Sequence, residues 1–293
     1  MRAMPTWTPH EHEQGLNALE FLRCRLPAAP LAYLRQLLRR RKVMCGAASV
    51  REQDLVRPGH CLHLPESARI GELLEAGAAL GVRVLWETPQ LLIVDKLAGL
   101  AVHRGQGHED DNLLLRLARL YEYRGENTHP APVHRLDRGT SGVLLLGKER
   151  SATGALGKMF MAGAAQKIYL ALVHGAGRGS GLLDSPLAAK GKIKDAATGY
   201  RFLSSDGSLS LVELRLETGR THQIRRHLAA FGHPLVGDRR YGAPGSRGAD
   251  HFFLHCRELA FVTPWDDVPR RISAPLPEHF HAALSRLRLP PGE

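Results

Sequence analysis

The stretch from Pro132 to Lys148, Pro-Val-His-Arg-Leu-Asp-Arg-Gly-Thr-Ser-Gly-Val-Leu-Leu-Leu-Gly-Lys, constrains the fold more than any other part of the chain. It sets one carboxylate, Asp137, between Arg135 and Arg138 on a short polar segment. The segment runs directly into Val143 to Leu146, an apolar run that reads as a buried strand. Flanking arginines stabilise a carboxylate anion, and an ionised carboxylate suits nucleophilic or general-base work. Thr140-Ser141-Gly142 can turn the chain sharply and supply hydroxyl-to-backbone hydrogen bonds beside the acid.

The elements around this stretch define the fold class. Val82 to Glu87 and Leu91 to Lys96, with a turn at Thr88-Pro89, read as two strands of a hairpin. Asn112 to Tyr123 carries Leu113, Leu114, Leu117 and Leu120 and reads as an amphipathic helix. Ser151 to Met161 reads as a helix with Ser151 as N-cap. Strands follow at Lys167 to Gly175, Thr198 to Leu203, Leu209 to Leu216 and Phe252 to Phe261, and the last helix is Glu278 to Leu287. Strands outnumber helices and rarely alternate with them, which predicts an α+β fold with a mixed, largely antiparallel sheet.

The N-terminal part differs in character. Leu16, Leu19, Leu22 and Leu26 recur at near-helical spacing, and after Pro27 and Pro30 a second helix carries Leu31, Leu34, Leu37 and Leu38. Its other face holds Arg35 and Arg39, four apart, and it runs into Arg40, Arg41 and Lys42. Val43-Met44 and Cys61 to Leu64 read as short strands, with a turn at Gly46. Residues 67–81, rich in Glu, Ala and Gly, read as a linker with a short helical piece.

Composition narrows the class of function. With 293 residues and 43% hydrophobic content the chain can bury a sizeable core. Forty Lys and Arg against 29 Asp and Glu give a net charge of +11, which favours a polyanionic partner, although a merely solvated basic surface fits the charge as well. Cys24, Cys45, Cys61 and Cys256 lie far apart with no Cys-x-x-Cys pair, so they read as free thiols in a reducing compartment. No signal core and no bilayer-length apolar run is present, which places the protein in the cytoplasm. His222 and His227 are five apart without the glutamate of a His-Glu-x-x-His zinc pattern, so both, like His134, read as structural histidines, and no metal is expected.

Two resemblances emerge from these residues. The order Leu37-Leu-Arg-Arg-Arg-Lys-Val43-x-x-Gly46, followed by Arg57-Pro-Gly-His60-x-Leu-x-Leu64, resembles the S4 RNA-binding domain over residues 14–66, with Cys45 where asparagine is common. Four later segments are similar to the RluA family of pseudouridine synthases. They are Val94-Asp-Lys96-Leu-Ala-Gly99-Leu-Ala-Val-His103, His134-Arg-Leu-Asp137-Arg-Gly-Thr-Ser-Gly142, Lys167-x-Tyr169-Leu-Ala-Leu-Val-x-Gly175, and Thr218-Gly-Arg-Thr-His-Gln-Ile-Arg225-x-His-Leu through Gly237-Asp238. Leu254-His255 also fits. Leu97 and Arg104 stand where proline is usual, and Gly139 where an acid is often found. Four such segments in one order very rarely arise by chance.

The family resemblance implies that residues 82–293 form a pseudouridine synthase domain that isomerises uridines in structured RNA. The base is cut from its sugar at nitrogen, turned and rejoined through carbon, with no metal or organic cofactor. It implies that Asp137 is the essential carboxylate, whether it attacks the sugar or takes a proton from it. Arg225, beside Ile224 on the buried stripe of a helix that also carries Leu228 and Phe231, would pair with Asp137, or serve as a structural ion pair that only orients the helix. Tyr169 would lie against the flipped uracil rather than act as a core aromatic, with Ile224 a further substrate contact. Arg135 would fill the space the base leaves, or contact a phosphate. Arg35, Arg39, Arg138 and Arg220 are expected RNA contacts.

The expected partner is structured RNA, ribosomal in preference to transfer RNA, with no membrane and a monomer as the default. Two other readings stand beside this one: a non-catalytic RNA-binding module on the same scaffold, and a carboxylate hydrolase, which would need a second catalytic acid near Asp137.

Overall fold

The computed structural model describes residues 4–105, 109–189, 191–242 and 252–287. The chain divides into two compact units, each assembled from several stretches: Met1–Asp95 with His103–His134 and Leu145–Ala155, and Lys96–Val102 with Arg135–Leu144 and Leu156–Glu293.

The first unit begins with β1 (Thr6–Trp7), a 3-10 turn at Glu11–Glu13, and two short helices, α1 (Ala18–Arg25) and α2 (Leu31–Arg39). Asn17 caps α1 by accepting from the Glu20 backbone N–H while Glu20 reaches back to the Asn17 N–H. On α2 the leucine stripe Leu34, Leu37 and Leu38 is buried while Arg35 and Arg39 face solvent, as the periodicity predicts. The strands β2 (Met44–Cys45), β3 (Ala48–Ser49) and β4 (Leu62–His63) pair with β1 in a small antiparallel sheet of order β1-β4-β2-β3.

Residues 67–81, expected as a linker, are instead almost wholly helical. The helix α3 (Ala68–Leu80) is capped by Ser67, whose Oγ accepts from Ile70 N–H, and is stopped by Gly81 in the left-handed region. Gly77, a linker signal in the sequence, is buried where α3 meets the Pro27 ring, and a Cβ there would stand 3.2 Å from Pro27 Cγ. Two strands, β5 (Arg83–Glu87) and β6 (Leu91–Lys96), then form the expected antiparallel hairpin. Asn112 caps α4 (Leu113–Arg124) and β7 (Ala131–Pro132) follows.

At the centre of this unit Glu87, 3% exposed, accepts from Arg23 of α1, Tyr121 and Arg124 of α4, and Lys148. Burial opposes its charge, but the surrounding cations hold its carboxyl well below the usual carboxylate range.

The strand β8 (Ser141–Gly147) and helix α5 (Arg150–Met161) each have residues in both units. Helix α5 starts at Arg150, so Ser151 lies inside its first turn rather than capping it. The second unit continues with β9 (Ala165–His174), β10 (Ser180–Leu183), the hairpin β11 (Leu187–Ala189) and β12 (Lys192–Lys194), and β13 (Thr198–Ser205) and β14 (Leu209–Leu216). It ends with α6 (Gln223–Ala230), β15 (Leu254–Val262), β16 (Pro269–Ser273) and α7 (Glu278–Arg286). Its sheet has the order β10-β13-β14-β9-β15-β8, with β16 paired to β15. Each of these pairs is antiparallel except β15 with β8. The fold is α+β with a mixed, largely antiparallel sheet.

Helix α7 packs Phe280 and Leu284 against Leu172 and Leu211 of the sheet. On α6, Ile224 and Leu228 are buried as expected, but Phe231 is 38% exposed and its ring lies beside Tyr200 and His233. Among the described residues no helix is long and apolar enough to cross a membrane.

Candidate active site

Asp137 sits on the turn that leads into β8, held by backbone and by a buried lysine. The Asp137 carbonyl accepts from Thr140 N–H at 3.0 Å. Lys96, fully buried, donates from Nζ to the carbonyls of Leu97 (2.9 Å), Leu100 (2.8 Å) and Arg138 (3.2 Å). Gly99 N–H donates to the Arg138 carbonyl at 2.9 Å, and Arg138 Nε returns a bond of 2.9 Å to the Gly99 carbonyl. The loop after β6 and the Asp137 turn are thus tied by main-chain and side-chain bonds, which fixes the position of the carboxylate.

Gly142, the second residue of β8, has φ +105 and passes directly over the Cys256 backbone of β15, so that any Cβ at this position would collide with it. Gly139 lies under the Phe252 ring, where a Cβ would come within 2.7 Å of Phe252 Cε1. The residue that departs from the family pattern here makes room for an aromatic ring. That ring stacks over the Arg225 guanidinium, 4.5 Å from its carbon.

Arg225, on α6 and 8% exposed, reaches two carboxylates. It donates from Nε and Nη2 to Asp238 at 2.7 and 2.9 Å and from Nη1 to Asp137 Oδ2 at 3.2 Å. Burial works against its charge, but the Asp238 and Asp137 bonds more than offset this, and its pKa stands above the ordinary arginine value. Asp238, 1% exposed, also accepts from the backbone N–H groups of Arg240 and Tyr241. Burial alone would raise its pKa, yet the Arg225 bonds hold it below the usual carboxylate value. Three donors on Oδ1 and one on Oδ2 favour its ionised form, which makes Asp238 a poor general acid for the hydrolase reading.

Tyr169 occupies the middle of β9, opposite Leu214 of β14 and Cys256 of β15. It is 4% exposed. Burial pushes its hydroxyl well above the usual tyrosine pKa, and the Cys256 thiol, with which it shares a hydrogen bond, and the Asp137 charge add to this. Arg135 is exposed on the Asp137 turn. Arg220 is partly buried and donates from Nε to the Asp195 carbonyl at 2.9 Å.

His222, immediately before α6, has the left-handed backbone φ +54 and is followed by Gln223, which is held by Thr218, Thr198 and the Ala197 carbonyl. Its Nδ1 lies 3.1 Å from the Tyr241 hydroxyl and its Nε2 lies 3.9 Å from Asp137 Oδ1. His227 is structural: Nε2 donates to the Ser185 carbonyl at 3.0 Å, which leaves Nδ1 to accept from the Thr198 hydroxyl. His134 accepts the Leu145 N–H through Nε2. Among the described residues no group of three or more His, Cys, Asp or Glu is arranged to hold a metal ion.

A buried arginine thus meets one carboxylate of the turn, in the same unit as buried Tyr169. The family described as RNA pseudouridylate synthase matches residues 90–230. Ribosomal large subunit pseudouridine synthase D of Xanthomonas campestris pv. campestris is 34% identical, aligned over 80% of this chain and 80% of its own length. Ribosomal large subunit pseudouridine synthase C of Escherichia coli strain K12 is 31% identical over 94% of each chain. This chain belongs to the RNA pseudouridylate synthase family. The synthase therefore isomerises uridine in RNA to pseudouridine. Its fold is shared with human RNA pseudouridylate synthase domain containing 4, at a TM-score of 0.62 and 24% identity over 75% of this chain and 98% of that one.

Of the residues expected at the site, Asp137, Tyr169, Arg225 and its neighbour Ile224 fall in one unit with Arg135, Arg138 and Arg220. Arg35 and Arg39 lie in the other unit, where Arg35 is paired with Glu52 at 3.1 Å. Sequence reasoning assigned no role to Lys96, Asp238, Tyr241 or Phe252 in the synthase and counted His222 as purely structural. Lys96 and Asp238 stood inside the quoted segments, and charged residues in such segments were the available signal. Nothing local marks Phe252 or Tyr241.

Proposed function

We propose that the synthase modifies uridines in ribosomal RNA, in preference to transfer RNA, and that Asp137 is its essential carboxylate. The target follows the names of its relatives, the ribosomal large subunit pseudouridine synthases C and D. The observation that carries the catalytic assignment is the 3.2 Å hydrogen bond from buried Arg225 to Asp137 on a turn anchored by Lys96. Arg225 balances the carboxylate's charge through one oxygen and leaves the other for the sugar.

The target uridine is swung out of the RNA at a cost of roughly a few kcal/mol. Its base then meets Tyr169 and Ile224, and Arg135 fills the space it leaves. The N1–C1′ bond breaks, the base turns, and a C5–C1′ bond forms. The C5 proton is lost and N1 takes one up, so the reaction balances without a metal or organic cofactor. Arg138 and Arg220 grip phosphates near the site. Residues 14–66 act as an S4-like module that presents Arg35 and Arg39 to folded RNA, ahead of a catalytic domain spanning 82–293. The protein works as a monomer in the cytoplasm.

The test is to map pseudouridines in cellular RNA with and without the protein and with Asp137→Ala or Asp137→Asn. Isomerisation is abolished in both variants while RNA affinity is largely kept. Full activity in either variant, or a parallel loss of binding, refutes the assignment.

A further inference from the structure

We propose that His222 is a positioning residue for the reacting oxygen of Asp137, held in one tautomer by Tyr241. The inference rests on the reading of Asp137 as the essential carboxylate. The two oxygens of that carboxylate have different neighbours: Oδ2 accepts from Arg225 Nη1 at 3.2 Å, whereas Oδ1 faces His222 Nε2 at 3.9 Å. That distance is beyond hydrogen-bond length and leaves Oδ1 without the arginine's grip, so it is the oxygen available to the sugar. A carboxylate oxygen opposite Nε2 favours a proton on Nε2, and the Tyr241 hydroxyl at 3.1 Å from Nδ1 then donates to the ring. A small rotation of either side chain brings the Nε2 proton onto Oδ1 when the substrate closes the site.

Two further observations support the role. His222 holds a left-handed backbone, φ +54, that a glycine would adopt without strain, so its ring is in place at a conformational cost. The groups that face it are Asp137 on the preceding turn, Arg135 on the same turn, Arg225 on α6, and Arg240 and Tyr241 after α6. Burial first, and then the three arginines, outweigh the attraction of Asp137 and set its pKa below the ordinary histidine value. At neutral pH the ring is an uncharged donor. Asp137 then has one permanent cation on Oδ2 and one neutral donor within reach of Oδ1, which steadies the reacting oxygen.

The experiment measures kcat and KM of the full-length protein on total RNA purified from cells that lack it, from pH 5.5 to 9, with folding checked by thermal denaturation. His222→Ala is expected to lower kcat roughly 10- to 100-fold, the range for one hydrogen bond to a charged group, with KM within about twofold. His222→Gln, which keeps a neutral donor, recovers about tenfold of that loss and no longer titrates. Tyr241→Phe, which leaves the tautomer unfixed, lowers kcat less than His222→Ala. An unchanged kcat in folded His222→Ala overturns the proposal, as does a loss confined to KM, or a His222→Gln variant that folds yet is as slow as His222→Ala. Asp137→Ala measured in parallel separates the two levels: activity there refutes the reading of Asp137, whereas an inactive Asp137→Ala beside a fully active His222→Ala refutes the role of His222 alone.

Discussion

Asp238 holds Arg225 through two hydrogen bonds, 2.7 and 2.9 Å, while Asp137 receives one, at 3.2 Å. The arginine is therefore oriented by Asp238 and presented to Asp137, the carboxylate proposed to act on the sugar. Asp238→Asn keeps the size of the side chain but removes its charge, leaving a buried arginine only partly balanced. It is expected to destabilise the protein by about 3–5 kcal/mol and to lower turnover more than affinity. Denaturant unfolding and kcat against KM measure the two effects. An unchanged midpoint and turnover would mean that Arg225 is oriented by its packing between Tyr241 and Phe252 instead.

Glu87 plays the corresponding part in the first unit, where one buried carboxylate gathers Arg23, Arg124 and Lys148. Glu87→Gln is expected to cost about 3–5 kcal/mol, because buried cations lose their counter-charge. Its folded pKa lies below the unfolded value, so its contribution is present above the unfolded pKa and is lost only as pH falls to strongly acidic values. Urea unfolding of the variant and the parent at pH 7 checks the cost.

His255 gives the second unit a pH dependence closer to neutrality. It is fully buried, its Nε2 donates to the Ala274 carbonyl, and its Nδ1 lies 2.9 Å from Ser141 Oγ. Burial lowers its pKa from 6.5 to about 4. The stabilisation from this depressed group is complete above 6.5 and is lost as pH falls towards 4, by up to about 3 kcal/mol. Comparing unfolding midpoints of wild type and His255→Gln at pH 7.5 and 5 isolates the effect. Equal pH slopes in the two proteins would show that His255 does not titrate on unfolding.

The arginines of α2 are open to a test by salt. Arg35 is paired with Glu52, but an exposed ion pair of this kind contributes no more than about 1 kcal/mol and can exchange for a phosphate. Replacing Arg35 and Arg39 together by alanine is expected to weaken RNA binding and to reduce the slope of log affinity against log salt by roughly 1–2. An unchanged slope would remove α2 from the RNA-binding surface.

How much of this was legible in the chain follows from the range of the forces involved. The leucines of α1, α2 and α4, the β5–β6 hairpin and the strands β9, β13 and β14 declare themselves because burial of one face leaves a period in neighbouring residues. The turn bearing Asp137 and the pairing with Arg225 were reached through segments whose residue types and order are specific. Helix α3 was hidden because Gly71 and Gly77 are poor helix formers, and only contact with Pro27 accounts for a glycine at 77. The strands β10, β11 and β12 are short, and pairing rather than periodicity defines them.

The sequence by itself determined the α+β class, the position of the carboxylate and the arginine 88 residues away that meets it. Only the tertiary structure decided that Asp238 orients that arginine, that Lys96 ties the loop after β6 to the Arg138 carbonyl of the turn, that Phe252 fills the space over Gly139, and that His222 faces the second oxygen of Asp137. Hydrophobic burial is written in local periodicity. The partner of a buried charge is chosen by which side chains the fold brings within about 3 Å, and no local pattern records that choice.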